Sequence, residues 1–227
     1  MSDTRLILFD CDGTLVDSQH MIVAAMDEAF RGSGLQSPPP VAVRRIVGLS
    51  LAPAIAQLLP DGERHMDTVF TLVEAYKASF RRMRVEGVEE PLYPGVPDML
   101  KALAEADYVL GVATGKSTRG LRSVLRLHGL EDMFMTLQTA DDHPGKPDPS
   151  MVSLAMLEAG AAPQTTLVVG DTTYDMEMAR AARTHAFGVS WGYHEADELL
   201  AAGALSVFGA VPDIAPGISR HLEEAAS

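Results

Sequence analysis

The sequence is poor in several things at once. Its 227 residues contain one cysteine, so an internal disulfide or a cysteine-rich zinc site cannot form and nothing calls for an oxidising compartment. Basic residues are scarce. Eighteen Lys and Arg stand against 31 Asp and Glu, a formal net charge of -13 with a pI near 4.8. That balance excludes extended contact with nucleic-acid phosphates and argues against an anionic membrane surface. Long apolar runs are missing too: the first, Leu6 to Phe9, falls far short of the roughly 20 residues a bilayer span needs, and it offers no signal-peptide core. No internal repeat is visible. What is present is 47% hydrophobic and 22% charged residues, enough for one or two packed domains of a cytoplasmic protein.

Short apolar runs end repeatedly in polar loops. Arg5–Phe9 stops at Asp10-Cys-Asp-Gly13, Tyr108–Ala113 at Thr114-Gly115, Phe134–Leu137 at Thr139–Asp142, Leu167–Val169 at Gly170-Asp171, and Ala186–Val189 at Ser190-Trp191. Helical periodicity fills the gaps at 97–106, 118–127, 149–159 and 173–184. Strands alternating with helices predict an α/β fold, a parallel sheet covered on both faces with its ligand beyond the carboxyl ends of the strands.

Residues 18–90 break the alternation. Met21–Phe30, Val41–Leu59 and Met66–Arg84 carry amphipathic helical patterns with no strand between them. They predict an inserted helical cap domain over 18–90, with the catalytic core formed by 1–17 and 91–227. The joints are Val16-Asp17-Ser18 and the stretch from Gly87 to Pro97, which holds Pro91, Pro94 and Gly95; Ser37-Pro-Pro-Pro40 is a stiff spacer inside the insert. The insert carries 8 basic and 9 acidic residues, the remainder 10 and 22. A nearly neutral unit thus sits on an acidic one.

Asp10 and Asp12 stand two apart at a strand end, where alternation aims both to one side. Paired carboxylates are costly unless a cation lies between them, and magnesium takes oxygen ligands while leaving room for phosphate. Alone, Asp-Cys-Asp-Gly is also an ordinary turn. A second pair, Asp171 and Asp175, follows another strand; Asp171 is placed as a helix N-cap, with Asp175 one turn on. Capping explains either residue singly, but not two strands of one sheet both ending in acid pairs. Thr114-Gly115 offers a hydroxyl and a bare N–H before a helix, and Lys146 sits in the rigid Gly145-Lys-Pro-Asp-Pro149 loop, where an ammonium can grip a phosphoryl oxygen.

In that order, Phe9-Asp-Cys-Asp-Gly-Thr-Leu-Val-Asp-Ser18, Thr114, Lys146-Pro147 and Gly170-Asp-Thr-Thr-Tyr-Asp175 resemble the four motifs of the haloacid dehalogenase superfamily. The helical insert resembles the cap of its phosphoglycolate phosphatase-like branch. The resemblance implies a Rossmann-like core, a mobile cap and magnesium-dependent hydrolysis of a phosphate monoester, phosphoglycolate being favoured. It implies that Asp10 is the nucleophile forming an aspartyl-phosphate and Asp12 the general acid and base. Mg2+ would be held by Asp10, the Asp12 main-chain carbonyl and Asp171, with Asp175 in support. Thr114, Gly115 and Lys146 would bind the phosphoryl oxygens. Three positions depart from the family pattern: Gly115 where relatives often carry asparagine, Cys11 where an aliphatic residue is usual, and His20 where proline is common.

Specificity belongs to the cap. His20, Arg44, Arg45 and the Gly48-Leu-Ser50 loop are candidates, with Arg44 or Arg45 expected to meet an anionic leaving group. Lys77, Arg81, Arg82 and Arg84 form an acid-free basic stretch, a second candidate feature for substrate choice, set against the plainer reading of a solvated helix face. The other histidines lack metal-ligand spacing, Trp191-Gly-Tyr193 suits packing, and the 12 methionines suit core filling. The expected partner is a small phosphorylated metabolite, without nucleic acid or membrane, for a monomer or homodimer. Competing readings are a beta-phosphoglucomutase-like mutase, a pyrophosphatase, a receiver-like phospho-acceptor module and a silent binding protein. The tight Asp-Cys-Asp-Gly loop and the cap oppose the receiver, and the full set of acids opposes the silent protein.

Overall fold

Six strands form one parallel sheet: β1 (Leu6–Phe9), β2 (Val109–Thr114), β3 (Thr136–Thr139), β4 (Thr166–Gly170), β5 (His185–Val189) and β6 (Val207–Phe208), in the order β3-β2-β1-β4-β5-β6. The computed structural model describes residues 4–60 and 65–225. Residues 1–3, 61–64 and 226–227, which the expected core and cap ranges include, lie outside the described residues. β1 is central, with Leu6 opposite both Val109 and Thr166. It buries side chains on two faces, as a run without polar alternation requires. Ile7 and Phe9 enter one core cluster with Leu100, Leu103 and Ile218, while Leu6 and Leu8 enter the other with Met151, Val152 and Met176. Each of these four β1 side chains stabilises by about 1.5–3 kcal/mol relative to exposure. Connections run opposite ways from β1 toward β2 and β4, so the crevice where the winding reverses opens above the ends of β1 and β4.

Helices α1 (Gln19–Gly32), α2 (Pro40–Arg45), α3 (Leu51–Leu58) and α4 (Met66–Val85) cover the insert. Their apolar faces meet in a cluster around Met26, Phe30, Ile55 and Leu72. The continuous helix expected over 41–59 is instead two helices, because Gly48 takes φ +99 between them, a conformation that breaks a right-handed helix. The proline spacer ends inside the first of the pair, since Pro40 occupies its first turn and needs no N–H there. Among the described residues no helix is long and apolar enough to cross a membrane.

The remaining helices are α5 (Val96–Glu105), α6 (Thr118–Leu127), α7 (Ser150–Ala159), α8 (Thr173–Ala181), α9 (Ala196–Ala202) and α10 (Ile214–Ala225). Two shifts separate expectation from structure. β3 begins two residues later than expected, after a single 3-10 turn at Glu131–Met133. α8 ends at Ala181, and Arg183 turns left-handed with φ +61.

Candidate active site

The loop after β1 is a tight hook. The Cys11 carbonyl accepts from the N–H groups of Leu15 and Val16 at 3.0 and 2.9 Å, and Gly13 N–H donates to the Val16 carbonyl at 2.9 Å. Gly13 has φ +87, and a methyl there would collide with the Asp171 carboxylate and the Tyr193 ring. Only glycine lets this loop press against the loop after β4. Cys11 is buried, and burial pushes its thiol well up, so it acts as a small hydrophobe.

Three carboxylates converge under the hook. Ligand oxygens of Asp10, Asp171 and Asp175 lie within 4.8 Å of one another, all buried. Lys146 Nζ reaches Asp10 Oδ1 at 2.7 Å as an ion pair outside hydrogen-bond geometry, and donates to Asp175 Oδ1 at 2.6 Å. Asp171 Oδ1 accepts from the Thr14 hydroxyl at 2.8 Å and Oδ2 from Tyr193 N–H at 2.9 Å. Asp175 Oδ2 accepts from the N–H and hydroxyl of Thr172 at 3.1 and 2.7 Å. The helix N-cap is therefore Thr172, one residue later than expected, which frees Asp171 to point into the cluster.

The electrostatics of the cluster call for another positive charge. Burial raises the Asp10 pKa to about 6; Lys146 opposes that shift while Asp175 and Asp12 add to it. Burial, with Asp10 and Asp175 nearby, likewise lifts Asp171 well above the ordinary carboxylate range. Among the described residues, Asp10 Oδ2 is buried without a hydrogen-bond partner. One lysine cannot balance three acids. A hard divalent cation fits this all-oxygen donor set.

Asp12 lies apart from the cluster. Its Oδ1 accepts from the Ser18 hydroxyl and from Lys116 Nζ, the latter at 2.5 Å. Lys116 also sits 3.3 Å from Glu90, a buried acid in the second joint, which pairs with Arg84 of α4 at 2.6 Å. Burial works against the Lys116 charge, but Asp12, Cys11 and Glu90 outweigh it and raise its pKa. From sequence, neither Lys116 nor Glu90 is marked as a site residue, and Arg84 is marked only as part of the basic stretch. Lys116 lies two residues after Thr114 in a strand-end loop, the same signal that marks Lys146.

A cavity of about 700 Å3 opens above these groups, with Asp10, Asp12, Thr114 and Gly115 at its floor and α4 on its roof. Thr114 is buried and its oxygen accepts from Lys116 N–H at 3.2 Å. Gly115 is needed for close approach: a Cβ there would lie 2.8 Å from the carbonyl oxygens of Gly48 and Leu49 in the insert.

His20, Arg44 and Arg45 do not line the cavity. His20 is exposed at the start of α1. Arg45 points outward and clasps Glu198 of α9 with two hydrogen bonds of 2.5 and 2.6 Å. Its main-chain carbonyl accepts from Tyr174 OH at 3.3 Å and from His194 Nε2 at 3.2 Å, while His194 Nδ1 accepts from Thr173 N–H at 3.1 Å. Burial keeps His194 below the usual histidine range, so it is neutral and suited to that pair of bonds. Arg45 is thus a latch between insert and core rather than a ligand in the cavity. The basic stretch expected to face solvent does the opposite in part, because Lys77, Arg81 and Arg84 line the cavity. Trp191 and Tyr193 pack as expected, Trp191 donating Nε1–H to the Thr14 carbonyl at 3.2 Å.

Comparisons with known proteins agree with this geometry. Residues 7–189 match the family described as "Haloacid dehalogenase-like hydrolase", and the chain belongs to that family. It is 39% identical to "Probable phosphatase IndB" of Dickeya dadantii, covering 87% of this chain and 86% of that one. It is 33% identical to a "Phosphoglycolate phosphatase" of Pseudomonas putida, over 84% and 71% of the two chains. A solved hydrolase from Pseudomonas syringae superposes with a TM-score of 0.82 at 28% identity, covering 99% of this chain and all of that one.

Proposed function

We propose that this phosphatase of the haloacid dehalogenase type depends on magnesium and hydrolyses a small organic phosphate monoester through an aspartyl-phosphate. Phosphoglycolate is the reference substrate, on its favoured place in the family resemblance and the names of relatives. The observation that carries the reading is Asp10: buried at the end of β1, at the cavity floor, paired on one oxygen and without a partner on the other. In this reading residues 18–90 act as a cap over a core of 1–17 and 91–227, in a cytoplasmic enzyme.

The chemistry follows from what each group holds. The Asp10 carboxylate attacks phosphorus, forming an aspartyl P–O bond as the ester P–O bond breaks. Asp12 gives its proton to the departing oxygen, and the alcohol leaves. Asp12 then takes a proton from the entering water, whose oxygen displaces Asp10 and releases phosphate. Thr114, the Gly115 N–H and Lys146 hold the phosphoryl oxygens as their charge rises. Asp10, the Asp12 main-chain carbonyl and Asp171 would hold the magnesium, with Asp175 bracing Lys146 and Thr172 behind them. When bound, the ion supplies fixed positive charge against the phosphoryl oxygens and lets the carboxylates stay ionised together.

The test is phosphate release from phosphoglycolate, sugar phosphates, nucleoside monophosphates and pyrophosphate, with Mg2+ and with chelator. Release that requires the metal and disappears in Asp10→Asn, with the circular dichroism spectrum retained, is expected. Substantial turnover by Asp10→Asn would remove the nucleophile from Asp10.

A further inference from the structure

The cavity is far larger than its reference substrate. About 700 Å3 falls within the roughly 300–1,000 Å3 of pockets that enclose ligands of drug size. A two-carbon leaving group displaces only about three waters' worth of liquid, at roughly 30 Å3 each. The walls beyond the phosphoryl floor are apolar: Ile22 and Met26 from α1, Leu51 from α3, Val73, Tyr76 and Phe80 from α4. Glycolate, all polar atoms but one methylene, would leave these walls to water.

Charge at the rim adds a second requirement. Of the cationic side chains lining the cavity, Lys116 is paired with Asp12 and Glu90, Arg84 with Glu90 and Lys77 with Glu74. Arg81 on α4 and Arg119 in the first turn of α6 also line it, and among the described residues neither has a carboxylate within ion-pair distance. The acid on the same wall, Asp141, is engaged by Thr118 N–H at 2.8 Å. Among the described residues, two guanidinium groups without a carboxylate partner, Arg81 from residues 18–90 and Arg119 from the core, line an apolar chamber that Asp10, Thr114 and Gly115 also line. Guanidinium forks favour carboxylates and phosphates.

Resting on the phosphatase reading above, we infer that the preferred substrate is a phosphate monoester of an alcohol with a bulky apolar or aromatic body and a second anionic group. The body fills the chamber between α1 and α4, and the anion is met by Arg81 and Arg119. Phosphoglycolate carries the anion without the body and so leaves the apolar walls unfilled.

Three esters with saturated leaving oxygens separate these features: 4-carboxybenzyl phosphate, benzyl phosphate and phosphoglycolate, assayed for Mg2+-dependent phosphate release. The carboxybenzyl ester is expected to have the highest kcat/KM. In Arg81→Ala or Arg119→Ala, the ratio of kcat/KM for 4-carboxybenzyl over benzyl phosphate should fall about tenfold, the effect of losing a charge-assisted contact. Both arginines are exposed, so the variants fold. A higher kcat/KM for phosphoglycolate than for either benzyl ester, or an unchanged ratio in both variants, overturns the inference while leaving the phosphatase intact. No release from any ester, with metal bound as shown by calorimetry, overturns the phosphatase reading itself.

Discussion

The floor of the cavity and its roof are built on different plans. Asp10 on the floor and Asp171 and Asp175 packed behind it are 0–1% exposed, and Lys146, main-chain N–H groups and threonine hydroxyls hold them in place. Their positions follow from where β1 and β4 end, and the ladder with Leu6 opposite Thr166 sets those ends. On the roof, one helix, α4, presents Tyr76, Phe80, Arg81 and Arg84 as partly exposed side chains. Exchanging them disturbs no ladder. Under the proposed function, the reaction rests on backbone register while selection rests on replaceable side chains. Lys116 joins the two, touching Asp12 below and lying 5.4 Å from the Phe80 ring centroid above.

The largest effect is expected from Lys146→Met. If the floor works as one electrostatic unit, kcat should fall about 10²–10³-fold with a smaller change in KM. A loss under tenfold in steady-state kinetics would show that the floor is not such a unit.

Nearly as large is a coupling between acid and metal. Asp10 titrates near 6 in the folded chain against 3.8 ordinarily, so its neutral form stabilises the metal-free protein fully below pH 3.8. That contribution is lost as pH rises through about 6, a change on the order of 3 kcal/mol at 1.36 kcal/mol per pKa unit. Magnesium needs the ionised form. The rise in Tm on adding Mg2+ should therefore grow between pH 4.5 and 7.5 in scanning calorimetry. A rise independent of pH would place the metal elsewhere.

Lys116→Met tests the joint between floor and roof. Ser18 still holds Asp12, so kcat should drop only about tenfold. Tm should fall as well, because Glu90 and Asp12 lose a buried partner. A kinetic loss matching that of Lys146→Met would erase the boundary drawn here. Smallest is Arg45→Ala: the Glu198 pair is half exposed and such pairs contribute about 0.2–1 kcal/mol, so KM should rise no more than about fivefold with kcat kept. A collapse of kcat would return Arg45 to the cavity.

The floor was legible in the sequence because its chemistry demands acids, a threonine and a lysine at strand ends, and strand ends show as apolar runs stopping at polar loops. Five strands were visible by the same token. β6 was not, being the two residues Val207–Phe208, too short to show a period, and α9 and α10 went with it. The roof was legible only as helices. A sequence shows that Arg45 and Arg81 lie on helices, but which way each faces depends on how α2 and α4 pack. So of the two expected ligands neither Arg44 nor Arg45 lines the cavity, Arg45 clasping Glu198 instead, and the basic stretch supplied Arg81. The break at Gly48 was hidden because the apolar pattern of 41–59 runs through it.

Gly115 sets how closely the Gly48–Leu49 segment sits on the loop after β2. With carbonyl oxygens of Gly48 and Leu49 standing 2.8 Å from where its Cβ would be, the empty position is what permits the shut geometry. A side chain there would work as a doorstop. In Gly115→Asn the Gly48–Leu49 segment of the insert would have to shift away from the loop after β2. The missing side chain is thus a clearance that lets two loops of different parts of the chain meet backbone to backbone.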